Sequence, residues 1–143
     1  MRYPAPMSIL RAMALATLLL CPLALAADGW TPEAWSGHDT LDLRTTVPGE
    51  GEYWFPVWLV VIDDQLYVRL GTKAAGRVEK SKSAPYMGVR IAGQQFDRVK
   101  GVPASAEMAT RVADAMHEKY WSDVFIQYFD HPVTLQLNPD DGE

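Results

Sequence analysis

The residues best suited to chemistry are a group of cations and a hydroxyl that follows two strand-like segments. Segments 56–62 and 65–70 flank Asp63-Asp64, a pattern typical of a β-hairpin. Around Gly71 and Gly76 then come Arg69, Thr72, Arg77 and Lys80. Guanidinium, ammonium and hydroxyl groups beside a glycine-containing backbone are the groups that bind phosphate. The spacing predicts an anion site in a loop after the hairpin, with a solvated basic loop as the alternative.

Other reactive side chains form no comparable group. His38, His117 and His131 are scattered and include no pair at i, i+4, so the sequence predicts no metal site. Asp63-Asp64 is a pair of carboxylates, but its position between two strands indicates turn chemistry. The serines lack the surroundings of a nucleophile elbow. We therefore predict no catalytic residue supplied by the protein itself.

Aromatic residues concentrate in the first half of the predicted hairpin. Trp54 and Trp58 fall on one face of a strand, and Phe55 falls on the other. The pattern is compatible with a stacking platform for a flat ligand and with ordinary core packing. Both interpretations stay open from the sequence.

The N-terminus has the features of a secretory signal peptide. Arg2 and Arg11 are followed by the apolar segment 12–20 and by Ala24-Leu25-Ala26, so we expect cleavage after Ala26. The apolar segment is too short for a membrane-spanning helix, so we expect no membrane span after cleavage. Cys21 follows three leucines, which leaves a lipoprotein as the alternative. The expected location is the periplasm or the exterior of the cell.

Cleavage would leave a single domain, residues 27–143, without any cysteine. Disulfides and thiolate metal sites are thereby excluded, and the core alone must hold the fold. Removal of the two arginines, with no acidic residue, changes the formal charge from −5 to −7. We expect no nucleic-acid partner, since that binding depends on neutralising phosphates with cations.

Periodicity predicts a mainly β (α+β) domain, a six-stranded antiparallel barrel with one main helix before the last strand. Thr31 and Pro32 indicate a short helix start, and segment 106–120 has the spacing of an amphipathic helix. Closure protects strand edges in so small a domain. The predicted strands are 41–47, 53–62, 65–70, 86–92, 94–102 and 132–137.

The order of these segments resembles the FMN-binding split-barrel family, the pyridoxamine 5′-phosphate oxidase-like group, and within it the small deazaflavin-dependent nitroreductase-like proteins. The resemblance covers about residues 35–139. It rests on Leu43-Arg44-Thr45-Thr46, Pro56-Val57-Trp58-Leu59-Val60-Val61, Leu66-Tyr67-Val68-Arg69, Gly76-Arg77-Val78, Glu118-Lys119-Tyr120-Trp121 and the closing segment 133–139.

The resemblance implies a split β-barrel, usually a homodimer, that holds FMN or a related flavin or deazaflavin in a groove near the subunit interface. It assigns Val57 and Trp58 to the ring system, and Thr45 or Thr46 to the phosphate or ribityl chain. It assigns the cofactor phosphate to Arg69, Thr72, Arg77 and Lys80. Because hydride chemistry takes place on the cofactor, the protein need not supply a catalytic acid.

Two features of this chain depart from the family pattern. Glu79 lies among the predicted phosphate contacts, where a carboxylate is repulsive. A chain exported unfolded would also have to capture its cofactor outside the cytoplasm. The competing hypothesis is a cofactor-free periplasmic module that binds another small ligand or a protein, and a third is a purely structural envelope protein.

Overall fold

A computed structural model describes residues 29–120 and 133–140 of the chain. A short 3-10 helix, Pro32–Trp35, precedes the first strand, α1 (Thr72–Lys80) follows the third, and α2 (Ala106–Lys119) follows the fifth. Within the described ranges, no helix is long and apolar enough to cross a membrane. The strands are β1 (Thr40–Val47), β2 (Gly51–Ile62), β3 (Gln65–Leu70), β4 (Tyr86–Ile91), β5 (Gln94–Pro103) and β6 (Val133–Pro139).

The six strands close into one antiparallel barrel in the order β1-β2-β3-β6-β5-β4. The pairing of β1 with β4 is the shortest, from Asp42 opposite Arg90 to Arg44 opposite Gly88. Because every strand is paired on both sides, the barrel leaves no strand edge free along these pairings. The predicted six-stranded antiparallel barrel is confirmed.

Side-chain alternation fills the barrel interior. Strand β1 buries alternate residues from Leu41 to Val47, as a period of two requires. On β2 the consecutive residues Leu59 and Val60 are both buried, because α2 packs on the outer wall there. Val60 and Tyr67 contact Val112 and Met116 of α2 in this outer cluster. This apolar part of β2 therefore contributes to the barrel interior on one face and to the outer cluster on the other.

Helical segments close the two ends of the barrel. At one end, Ala74, Ala75 and Val78 of α1 pack on the interior cluster. At the other end lies Trp35, which is buried and makes edge contacts with neighbouring aromatic rings. The Glu33 N–H donates to the Asp64 Oδ1 in the β2–β3 turn at 3.2 Å, which fixes this end.

The segment after β3, predicted as a basic loop, is instead the helix α1. Gly71 is its N-cap. Just after its C-terminus, the Lys82 N–H donates to the Thr46 carbonyl of β1 at 2.8 Å and holds this end of the helix against the barrel. The two glycines favoured a loop from the sequence, yet an amphipathic helix lets Ala74, Ala75 and Val78 cover the apolar barrel end together. The predicted signal peptide, Cys21 and His131 lie outside the described residues.

Candidate functional site

Two grooves border α1, one on each side of its first turn. The first, called the Arg69 groove, has a volume of about 290 Å³ and is lined by Thr40, Pro56, Val57, Trp58, Arg69, Gly71 and Ala74. The second, called the basic groove, has a volume of about 250 Å³ and is lined by Val47, Glu50, Thr72, Lys73, Gly76, Arg77 and Lys80. The structure thus brings Arg69 together with Val57 and Trp58, and places Thr72, Arg77 and Lys80 in the other groove.

Arg69 lies on the outer wall of the barrel between β2 and β6. The register that pairs Leu59 with Val68 sets Trp58 beside Arg69, and Thr134 lies opposite Arg69 on β6. The Arg69 Nε is buried and has no hydrogen-bond partner among the described residues. Burial lowers the pKa of Arg69, because desolvation disfavours its charged form. An anionic acceptor in the groove would satisfy both the charge and the buried N–H.

The start of α1 adds a second anion-attracting feature to the Arg69 groove. Gly71 offers no side chain to cap the helix, and the first turn contains no acidic residue. The first hydrogen bond of the helix runs from the Ala75 N–H to the Gly71 carbonyl at 2.9 Å. The N–H groups of residues 72–74 therefore have no carbonyl partner within the helix. Unsatisfied N–H groups and the helix dipole favour an anion at such a position.

The surface beside Arg69 is an apolar wall that belongs to β2. The side chain of Val57 is buried in the barrel interior and borders the groove at its margin. Trp58 faces outward and packs against Tyr120, with ring centroids 5.9 Å apart and planes inclined by 32°. This arrangement supplies a flat apolar surface beside a guanidinium group.

The end of α2 anchors this wall through Lys119 and Tyr120, both of which belong to the segment Glu118-Lys119-Tyr120-Trp121 of the family resemblance. The Tyr120 hydroxyl oxygen lies 2.6 Å from the Asp39 carbonyl and 2.8 Å from the Leu59 carbonyl, which share its one proton. The Lys119 Nζ donates to the Leu59 carbonyl at 3.1 Å and also to the His38 carbonyl. The amphipathic spacing of segment 106–120, which ends at Tyr120, was the sequence signal for packing at this position.

Burial shifts the pKa of both anchoring groups. Desolvation raises the pKa of Tyr120 to about 12, although the hydrogen bond to Leu59 acts against the shift; the charge of Asp39 acts with it. Desolvation lowers the pKa of Lys119, and the charge of Asp39 partly opposes it. Both shifts have the same physical origin, the partial removal of the groups from water.

Thr45 and Thr46 do not line either groove. Thr45 is 1% exposed, and its Oγ1 has no hydrogen-bond partner among the described residues. The Thr46 N–H donates to the Ser81 Oγ at 3.1 Å, so Thr46 holds the segment that follows α1. Their assignment to a phosphate or ribityl chain stays a prediction.

The basic groove contains a guanidinium group with a fixed orientation. The Arg77 Nη1 lies 2.9 Å from the Glu50 Oε2, and the guanidinium lies 4.6 Å from the centroid of the Tyr53 ring. Lys73 and Lys80 extend the positive charge along α1 and are exposed. Lys73, Glu50 and Tyr53 were not among the predicted site residues.

Within residues 29–120 and 133–140, no group of three or more His, Cys, Asp or Glu side chains could hold a metal ion. His38 and His117 are both exposed. The described site chemistry is therefore that of cations, backbone N–H groups and aromatic rings.

Comparison with known proteins places this architecture in a structural class. No family model matches the sequence, and no curated protein matches it. HutZ, the heme storage protein from Vibrio cholerae, is similar with a TM-score of 0.53 at 17% identity, over 77% of this chain and 87% of HutZ. A domain-swapped dimer is similar with a TM-score of 0.53 at 12% identity, over 71% of this chain and 80% of its own.

A third similar structure is an F420-H2 dependent reductase, FDR-A, with a TM-score of 0.50 at 12% identity, over 71% of this chain and 94% of the reductase. Identities this low establish the fold. The chain has the split-barrel fold, and the resemblance to the FMN-binding split-barrel family is confirmed at that level.

Proposed function

We propose that this chain is an exported split-barrel protein that binds FMN, or a related flavin or deazaflavin, in the Arg69 groove and serves a redox role. The carrying observation is the buried Arg69 Nε, which has no hydrogen-bond partner among the described residues and lies where α1 begins. A phosphate monoester supplies the charge and the acceptor oxygens that a guanidinium group binds.

The composition of the groove fits such a cofactor. Its phosphate would lie against Arg69 and the backbone N–H groups at the start of α1, including that of Thr72. Its flat ring would lie on the wall formed by Pro56 and Trp58. The volume of about 290 Å³ is near the lower end of ligand pockets, which measure about 300 to 1,000 Å³.

A small groove on an outer wall supports the proposal of a homodimer, in which a second copy would enclose the rest of the cofactor. The similarity to a domain-swapped dimer is compatible with this arrangement. Two of the similar structures are a heme storage protein and an F420-H2 dependent reductase, so binding of a small molecule is compatible with this fold.

A bound flavin or deazaflavin would supply hydride transfer through its ring system. The residues of this chain would bind and orient it. Arg69 would hold the phosphate, and Trp58, fixed by Tyr120, would set the position of the ring. The described lining of the Arg69 groove contains no carboxyl or imidazole group, so the roles derived for it are binding and orientation.

The test is a titration of FMN with the purified exported chain, in which quenching of the flavin fluorescence measures binding. Replacement of Arg69 by alanine should weaken binding about tenfold or more, because a hydrogen bond to a charged group contributes about 1.5–3 kcal/mol. Arg69→Lys should retain part of the affinity. Arg98→Ala is the matched control, because Arg98 pairs with Asp140 away from both grooves.

Absence of quenching in the unmodified chain would refute the proposal and favour the cofactor-free module. Hemin forms a second arm of the titration, because one similar structure is a heme storage protein. A change in the hemin absorption spectrum without any flavin binding would show that the ligand is a heme and would refute the proposal of a flavin. Equal FMN affinity in the Arg69→Ala variant and the unmodified chain would refute the phosphate assignment.

A further inference from the structure

An aspartate and an arginine lie opposite each other on β1 and β4 without forming an ion pair. Asp42 is paired with Arg90 at one end of the contact between these strands. Side chains at such positions are within reach of each other, because their Cβ atoms are about 4.5–5.5 Å apart. Four ion pairs join residues within 29–120 and 133–140, and neither Asp42 nor Arg90 belongs to one. Two opposite charges are therefore neighbours and stay unpaired.

Arg90 makes two other contacts that draw it away from Asp42. Its guanidinium carbon lies 3.7 Å from the centroid of the Trp54 ring, and its Nε donates to the Gln95 Oε1 at 2.9 Å. Trp54 belongs to the next outward-facing row of the barrel wall, opposite Arg44. These contacts use one face of the guanidinium group and one of its five N–H groups, so the terminal Nη groups are available to a ligand.

The Asp42 carboxylate has no hydrogen-bond donor among the described residues. Its neighbour in the register of β1 with β2 is Pro56, whose ring offers no donor. The Asp42 side chain is half-buried, so it has given up part of its hydration without gaining a donor from the protein. A donor carried by a ligand would restore that hydrogen bond.

The two charges border a groove at the point where β1 and β4 separate. The pairing of these strands ends at Asp42 and Arg90, and the groove there, called the Asp42 groove, has a volume of about 220 Å³. Pockets for drug-sized ligands measure about 300 to 1,000 Å³, so the ligand of this groove is smaller. The lining consists of Thr40, Leu41, Asp42, Arg90, Ile91, Ala92 and Gly93.

We propose that the Asp42 groove binds a small zwitterion, an amino acid, whose ammonium group contacts Asp42 and whose carboxylate contacts Arg90. A simple anion would be attracted by Arg90 and repelled by Asp42, and a simple cation would meet the reverse. A ligand that carries both charges satisfies both groups. Thr40 lines this groove and the Arg69 groove, so the two sites adjoin, but the proposal does not depend on a cofactor.

The test is an NMR titration that follows the backbone N–H signals of the purified exported chain without added flavin. The probes are L-alanine, L-alaninamide, which keeps only the ammonium group, and propionate, which keeps only the carboxylate, at matched ionic strength. We expect L-alanine to shift the signals of Ala92 and Gly93 until the groove is saturated. The other two probes should bind about tenfold more weakly or less, because each lacks one charged hydrogen-bonding group.

Two substitutions should change the ligand preference in opposite directions. Asp42→Asn should weaken L-alanine binding about tenfold and strengthen propionate binding, because it removes the repulsion of a carboxylate. Arg90→Gln should weaken L-alanine binding by a similar factor and strengthen L-alaninamide binding. Arg98→Gln is the matched control, because Arg98 also lies over an aromatic ring, that of Tyr86 at 3.9 Å, but outside the groove lining. A purely structural role of Asp42 and Arg90 would not exchange these preferences.

Absence of a saturable shift with all three probes would overturn the site. Equal affinities for L-alanine and propionate would also overturn it, because they would indicate a simple anion site. Unchanged L-alanine binding in Asp42→Asn and Arg90→Gln would place the ligand elsewhere and have the same consequence. A chain that binds L-alanine but not FMN would refute the proposed function and support this site, and the reverse result would refute this site alone. The two proposals therefore fail independently.

Discussion

Replacement of Tyr120 by phenylalanine tests the anchor between α2 and the groove wall. The one hydroxyl proton is shared between the Asp39 and Leu59 carbonyls, and each of these carbonyls keeps a further donor in the variant. The Leu59 N–H donates to the Asp39 carbonyl at 3.3 Å, and the Lys119 Nζ donates to the Leu59 carbonyl at 3.1 Å. No carbonyl of the pair is left without a donor.

The expected loss in the free energy of unfolding is therefore about 0.5–1.5 kcal/mol, the usual net contribution of a hydrogen bond. It should not reach the larger cost of an unsatisfied buried carbonyl. Urea unfolding of the unmodified chain and of Tyr120→Phe measures this difference. Tyr53→Phe is the matched control, because Tyr53 is 50% exposed and its loss should change the free energy by less than about 0.5 kcal/mol.

The pH dependence gives an independent check with a defined sign. Burial raises the pKa of Tyr120 to about 12, above its unfolded value of 10.0, so its stabilising contribution is fully present below pH 10 and is lost as pH rises through about 12. The advantage of the unmodified chain over Tyr120→Phe should therefore shrink across that window.

Equal stabilities of Tyr120→Phe and Tyr53→Phe would refute the anchor. So would a difference between the unmodified chain and Tyr120→Phe that stays constant up to and beyond pH 12. The first result would show that the hydroxyl contributes nothing, and the second that its ionisation is not coupled to folding.

Three further predictions concern backbone packing, helix α1 and export. Gly88→Ala should cost about 1–3 kcal/mol in urea unfolding, because the added Cβ would lie 2.8 Å from the Arg44 Nε, while Gly37→Ala, with open space around it, should be nearly neutral. Gly76→Ala should stabilise the chain by about 0.5–1 kcal/mol, since its position is open and helical; destabilisation would argue for a loop instead. N-terminal sequencing of the exported chain should begin at Ala27, and an N-terminus at a lipid-modified Cys21 would contradict it.

The strands could be predicted because the barrel interior imposes a period of two. On β1, Leu41 and Leu43 alternate with polar residues. On β3 the alternation is less strict, because Tyr67, which follows Leu66, is also buried, on the outer wall under α2. Amphipathic spacing likewise predicted α2, which ends at Lys119, one residue before the predicted end. These patterns depend on local sequence alone.

The helix α1 could not be predicted in this way, and it is this helix that divides the predicted phosphate site into two grooves. Gly71 and Gly76 have low helix propensity, and only the apolar barrel end makes a helix favourable there. Arg69 and Trp58 could be placed together from the hairpin register alone. In a helix, however, Arg77 turns away from Arg69, so one predicted phosphate site became two grooves.

The position of the Arg69 groove bears on two parts of the proposed function, export of the chain and binding of a cofactor. The barrel interior is filled by its own side chains, among them Leu43, Leu59 and Leu66, each 0% exposed. The groove lies on the outer wall, so the core is complete without a ligand and the empty chain can fold first. A ligand that binds afterwards adds stability according to its free concentration relative to its Kd. The proposed export of an unfolded chain and the proposed later capture of a flavin are therefore compatible on this barrel.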